Sequence, residues 1–144
     1  MADEEKIIDI IKDVALFEDL KPRQLRSLTK VFIERKCEAG EVIVPQGRDG
    51  YGFFVIASGG ARAILEKSDG SRVVVNTFGP GDYFGELALL DSGPRTASVV
   101  ATEPTRCLIL PRENFLGVLR RDGEMAVAIL QEITKRFRHA LEVQ

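Results

Sequence analysis

A chain of 144 residues with 44% hydrophobic and 29% charged side chains is long enough to bury the core of one ordinary domain, and its composition is that of a globular protein rather than a disordered one. A net charge of −2 argues against nonspecific nucleic-acid binding as the main role, and a single histidine excludes a hydrolytic metal centre built from clusters of histidine and aspartate. No apolar run reaches the roughly 18 residues of a bilayer span, so no membrane insertion is expected, and Cys37 and Cys107, without a second thiol or histidine at metal-ligand spacing, read as small core residues in a reducing, cytoplasmic setting.

The N-terminal stretch "MADEEKIIDIIKDV" opens on acids instead of a basic region followed by an apolar run, so no secretory signal is expected there. Ile7, Ile8, Ile11 and Val14, then Leu25, Leu28 and Phe32, recur at helical spacing. Two helices are therefore predicted within about 4–34, broken near Asp19–Pro22, with Pro22 in the first turn of the second. From about Cys37 to Leu110 the pattern changes to short apolar runs between turn signals: "EVIVPQG", "GFFVIASGG", "ARAILEKSDGS", "RVVVNTFGPGD", "TASVVATEP" and "TRCLILP". Such spacing predicts a β-sandwich or barrel, with Asp69-Gly70 as a hairpin turn.

Helical periodicity returns over about 112–142, divided by Asp122-Gly123. In the last helix Ala126, Ile129, Leu130, Ile133, Phe137, Ala140 and Leu141 form one apolar stripe, with Glu132 and Arg136 as an i, i+4 pair on its flank. The fold class expected over 1–144 is a single α+β domain: an antiparallel β-roll, jelly-roll-like in the manner of a double-stranded β-helix, flanked by N-terminal and C-terminal helices.

The stretch "GPGDYFGELALLDSGPRTASV" sets one acid and one arginine among small and apolar residues. A glycine-rich turn that feeds a short helix leaves N–H groups facing outward, so the backbone from Gly85 to Ala88 suits an anion. Arg95 returns from the following loop with a planar guanidinium that fits phosphate. Glu86 beside a phosphate is repulsive unless it has separate work, such as accepting a hydrogen bond from a sugar hydroxyl. Together these describe a site for a phosphorylated ribose, while the pair taken alone also fits a structural salt bridge.

"FGELALL" followed by "PRTASV" closely resembles the phosphate-binding cassette of cyclic nucleotide-binding domains, as in catabolite-activator-like proteins and protein kinase A regulatory subunits. The resemblance runs over roughly 7–141, since "LFEDLKPRQLRSL", "AGEVIVPQG" and "YGFFVIASG" look like the family's first helices and strands. It implies that residues 112–141 are hinge and lid helices, that Glu86 holds the ribose 2′-hydroxyl, and that Arg95 holds an exocyclic oxygen of the cyclic phosphate. It further implies backbone contacts from Gly85, Leu87, Ala88 and Ala97. Thr96 is either a base- or phosphate-contacting hydroxyl or a β-branched residue entering a strand. Ile133, Arg136, Phe137 and Ala140 stand on the turns that would cover the base, or are simply core stripe and solvated charge. Two stretches depart from the family pattern: "ASGGARA" has two glycines where one is usual, and "GRDGYGFF" lacks an acid before its aromatic pair.

The resemblance implies a non-enzymatic regulatory module whose ligand is cAMP, with cGMP as the alternative, and which needs no cofactor or metal. Asp82 and Glu86 imitate a catalytic acid pair only superficially, because Glu86 already has a role. A lid needs something to act on, so an effector is expected, either a separate protein or a fused domain, and a homodimer is compatible with the fold. The chain as given carries no helix-turn-helix after the lid, so it is expected to be a stand-alone sensor or a regulatory piece of a longer protein. The rival is a degenerate domain of the same fold that serves as a scaffold or dimerisation module and binds no nucleotide.

Overall fold

The computed structural model describes residues 2–91 and 93–142, so the extreme ends of the predicted 1–144 domain and Ser92 lie outside the described residues. The chain divides into two compact units, one made of the residues up to Val31 together with those from Glu113 on, the other of Phe32–Arg112.

The helical unit contains α1 (Ala2–Ile11), a 3-10 turn at Ala15–Phe17 and α2 (Pro22–Thr29), and most of α3 (Arg112–Arg121) followed by α4 (Gly123–Glu142). Pro22 opens α2 as expected, and the Gln24 side chain accepts the Lys21 N–H at 2.8 Å just before it. Asp122 Oδ1 accepts the Met125 N–H at 3.1 Å, which starts α4 at the predicted break and holds the Asp122 carboxyl below its usual range. Within this unit Phe17 and Phe115, both fully buried, lie with ring centroids 6.0 Å apart.

The β unit is two four-stranded antiparallel sheets, ordered β1-β8-β3-β6 and β2-β7-β4-β5. The strands are β1 (Ile33–Cys37), β2 (Val42–Val44), β3 (Gly52–Ser58), β4 (Ala61–Glu66), β5 (Arg72–Phe78), β6 (Tyr83–Phe84), β7 (Ser98–Ala101) and β8 (Thr105–Pro111). The core lies between the sheets and draws Phe54, Ile56, Cys107 and Ile109 from one and Ile43, Ala63, Phe78 and Val99 from the other. This is the β-roll that the alternation of strands and turns predicts, and Asp69-Gly70 does turn β4 into β5, with Gly70 at φ 87° and Asp69 accepting the Ser71 N–H at 2.9 Å.

Three expectations need correction. Helix ends at Thr29 rather than near 34, and Ile33–Cys37 is β1, paired along β8 from Ile33↔Ile109 to Cys37↔Thr105. The roll therefore begins before residue 37, because the free edge of β8 needs hydrogen-bond partners that no helix supplies. The apolar stripe on α4 is not one packed face: Met125, Ile129 and Glu132 are buried, whereas Leu130 is 62% and Phe137 66% exposed. Glu132 lies inside instead of on a solvated flank, with Arg136 Nε 3.8 Å from its Oε1.

Both cysteines are free and buried, as expected of small core residues. They occupy diagonal positions on β1 and β8, where burial pushes the Cys107 thiol up to about 12 and raises that of Cys37 as well.

Candidate functional site

Strand β3 is a continuous apolar run, with Phe53, Phe54, Val55 and Ile56 all fully buried. It pairs with β8 on one side and with the two-residue β6 on the other, in register Phe54↔Phe84 and Val55↔Tyr83. That pairing stacks the Phe54 and Phe84 rings at 4.9 Å and an interplanar angle of 7°, and so fixes where the chain leaves β6. It leaves through Gly85, at φ 85° and ψ 19°, directly into a 3-10 turn over Glu86–Leu89.

The turn closes through the Ala88 N–H, which donates to Gly85 O at 3.0 Å. Ala88 therefore spends its N–H within the turn, and the outward-facing donors are those that precede it. Leu87 is 75% exposed, so the core does not account for it. The returning loop is held by backbone pairing: the Arg95 N–H donates to Arg48 O at 2.8 Å, and the Gly47 N–H donates to Arg95 O at 2.8 Å.

These segments enclose a cleft of about 390 Å³ lined by Gly85, Glu86, Leu87, Ala88, Asp91, Gly93, Pro94, Arg95 and Thr96. Six of the seven cassette residues singled out in the sequence thus meet in one place. Ala97 does not line the cleft and packs against the core between the sheets instead. The lid candidates all lie on α4, where Ile133 is half-buried and Arg136, Phe137 and Ala140 are exposed.

Glu86 and Arg95 do not satisfy each other. Among the described residues no ion pair joins them, and Glu86 Oε2 and Arg95 Nε are each buried with no hydrogen-bond partner. Arg95 is held from behind: its Nη2 donates to Gly52 O at 3.1 Å, and its guanidinium carbon lies 5.8 Å from the Phe54 ring centroid and 6.0 Å from that of Phe84. With no countercharge beside it, burial lowers the pKa of the guanidinium. A buried guanidinium nitrogen and a buried carboxylate oxygen on one cleft, carried by two half-buried side chains and each incomplete, mark where an anion and a hydroxyl donor would sit.

Two contributors leave little trace in the sequence. Gly52 supplies the carbonyl that anchors Arg95, and Arg112 donates through Nη1 to Gly50 O at 2.8 Å and to Ala88 O at 3.1 Å. The only local signal for the first is the doubled glycine of "GYG", which allows close backbone approach. Nothing in "LPRENF" distinguishes Arg112 from an ordinary first residue of a helix.

Among the described residues there is no cluster of three or more His, Cys, Asp or Glu able to hold a metal, and no helix long and apolar enough to cross a membrane. Residues 34–122 match the family described as cyclic nucleotide-binding domain. The chain is 35% identical over 130 residues to the cyclic AMP receptor protein of Thermus thermophilus, covering 90% of this chain and 60% of that protein. It is 40% identical over 118 residues to the cAMP-dependent protein kinase regulatory subunit of Yarrowia lipolytica, covering 80% of this chain and 30% of that one. The N-terminal domain of a transcriptional regulator from Streptomyces coelicolor has a similar structure, with a TM-score of 0.86, 26% identity and 94% of both chains covered. The chain thus spans 60% and 30% of the lengths of the two curated relatives. With the family match over 34–122 and a β-roll shared with the similar solved structure, it belongs to the cyclic nucleotide-binding domain family.

Proposed function

We propose that the chain is a non-catalytic regulatory module, a single domain over 1–144, that binds cAMP in preference to cGMP and transmits occupancy through α3 and α4. The observation that carries this function is the pair of unsatisfied buried atoms on one cleft, Glu86 Oε2 and Arg95 Nε. A cyclic nucleotide supplies both missing partners, since its phosphate meets Arg95 and its ribose 2′-hydroxyl donates to Glu86. Carbonyl contact from Gly52 and the aromatic pair behind it hold Arg95 in place before ligand arrives, so little ordering entropy opposes binding. The preference for cAMP is supported by the relatives, a cyclic AMP receptor protein and a cAMP-dependent kinase regulatory subunit.

Transmission follows from differential contacts: a nucleotide that binds one arrangement of the cassette and α4 better than another shifts the population toward it. Ile133, Arg136, Phe137 and Ala140 are the residues we assign to the base-covering face of α4, with Arg136 able to stack on the purine. Leu130, Phe137 and Leu141 leave apolar surface exposed on the same helix, which supports a protein partner there, either an effector or a second copy of the chain.

Titration calorimetry with cAMP and cGMP side by side tests the function. We expect saturable heat with both and tighter binding of cAMP. Absence of heat with either nucleotide at high micromolar concentration would leave only the scaffold role. The ribose contact has its own check: Glu86→Ala loses about 1.5–3 kcal/mol of cAMP binding, the range for a hydrogen bond to a charged group. The same variant no longer distinguishes cAMP from 2′-deoxy-cAMP, and undiminished discrimination would remove Glu86 from the ribose.

A further inference from the structure

Three successive carbonyls join the phosphate arginine to the start of α3. Gly52 O accepts from Arg95 Nη2 at 3.1 Å, Tyr51 O accepts the Arg112 N–H at 2.7 Å, and Gly50 O accepts from Arg112 Nη1 at 2.8 Å. The same Nη1 also donates to Ala88 O at 3.1 Å, within the 3-10 turn of the cassette. Arg112 is half-buried, and among the described residues it has no carboxylate partner. Its charge is met by carbonyl dipoles from two separate segments.

A helix start needs no such arrangement. An arginine in the first turn of a helix, at the end that favours negative charge, gains nothing from the helix dipole. Its position is explained instead by what it touches: the loop that anchors Arg95 and the turn that faces the phosphate. Hydrogen bonds from a charged donor are the stronger kind, and one nitrogen shared between two carbonyls ties their movements together.

We propose that Arg112 is a positioning residue for nucleotide binding, which clamps the Gly50–Gly52 segment to the cassette turn and passes the state of that turn to α3. The proposal rests on the cyclic nucleotide function given above and adds a residue that does not itself touch the ligand. Phosphate engaging the turn at Glu86–Leu87 shifts Ala88 O, and Arg112, whose own N–H is fixed to Tyr51 O, carries that shift into the helix it begins. By linkage, a helix start held in the bound arrangement favours nucleotide in return.

The test is calorimetry with cAMP on wild type, Arg112→Ala, Arg112→Gln and Arg112→Lys, each checked for folding by circular dichroism, with amide hydrogen exchange of the first turn of α3 measured with and without saturating cAMP. Arg112→Ala is expected to weaken cAMP binding by about 10- to 100-fold, Arg112→Gln by less, and Arg112→Lys to recover part of the loss. The exchange difference that cAMP produces in α3 is expected to vanish in Arg112→Ala even at saturation, which a merely stabilising residue would not cause. Should Arg112→Ala fail to fold, Arg112→Gln carries the same comparison. Wild type that binds neither cAMP nor cGMP overturns the functional reading itself. Wild-type binding accompanied by unchanged affinity, or by an intact exchange response, in a folded Ala or Gln variant overturns the role of Arg112 alone.

Discussion

Arg95→Ala is expected to lower cAMP affinity by about 2–5 kcal/mol, or roughly 30- to several-thousand-fold, the range for truncating one partner of a charged contact that the ligand desolvates. The effect is large because Arg95 is half-buried with its Nε fully buried, has no ion-pair partner among the described residues, and leaves that Nε without a hydrogen bond for a ligand to complete. The same features set the sign for the empty protein. Removing a cation that burial already penalises costs little stability, so the melting temperature without nucleotide stays near that of wild type. What disappears is the stabilisation by added cAMP, which mass action ties to affinity. Calorimetry and thermal melts with and without cAMP read both quantities, and a variant that binds cAMP as wild type does would remove Arg95 from the phosphate.

Gly85→Ala produces the other large effect, and it strikes fold and site together. A Cβ at this position would stand 2.6 Å from Arg95 Nη2 and 2.7 Å from Gly52 O, on a residue already at φ 85°. The left-handed backbone alone costs about 1–3 kcal/mol for a residue with a side chain, and relief of the clash pushes Arg95 off its carbonyl anchor. We expect urea denaturation to show a stability loss of about that size, and calorimetry to show cAMP affinity reduced by at least about 10-fold, the equivalent of one charge-assisted hydrogen bond. Gly81→Ala is the matched control: Gly81 has φ 89°, and a Cβ there would meet nothing within 4 Å, so it shares the backbone cost without touching Arg95. If Gly85→Ala binds cAMP no worse than Gly81→Ala, then contact between Gly85 and Arg95 is irrelevant to the site.

Most of the cassette can be read from the chain because its information is local. Gly85, Glu86, Leu87, Ala88, Arg95 and Thr96 lie within one short stretch, and the turn chemistry that presents them is encoded in the glycines and proline around them. Strands β3 and β8 are equally legible as apolar runs bounded by turns. Strand β1 is hidden because "VFIERKC" continues the helical spacing of the residues before it, while its reason for being a strand is β8, far away in the sequence. The two residues of β6 are too few to show any period, yet their pairing with β3 aims Gly85. On α4 the apolar residues suggest one stripe, but the helix buries Met125, Ile129 and Glu132 and leaves Leu130 and Phe137 exposed. Periodicity counts apolar positions without saying which side of a helix finds cover.

By itself, then, the sequence determined the kinds of chemistry available: a carboxylate, a guanidinium and a backbone turn, at a spacing suited to a phosphorylated sugar. Only the tertiary structure decided how those charges are partnered. A Glu and an Arg in one short stretch are free to form a salt bridge, and nothing in their spacing forbids it. They do not, because the Phe54–Phe84 stack and the Gly52 carbonyl, brought alongside by β3 and β6, hold Arg95 in place, while Arg112 fixes the turn behind Glu86. Electrostatic partnering depends on distances set by strands remote in the chain, so the unsatisfied atoms that mark the site exist only once those strands have paired.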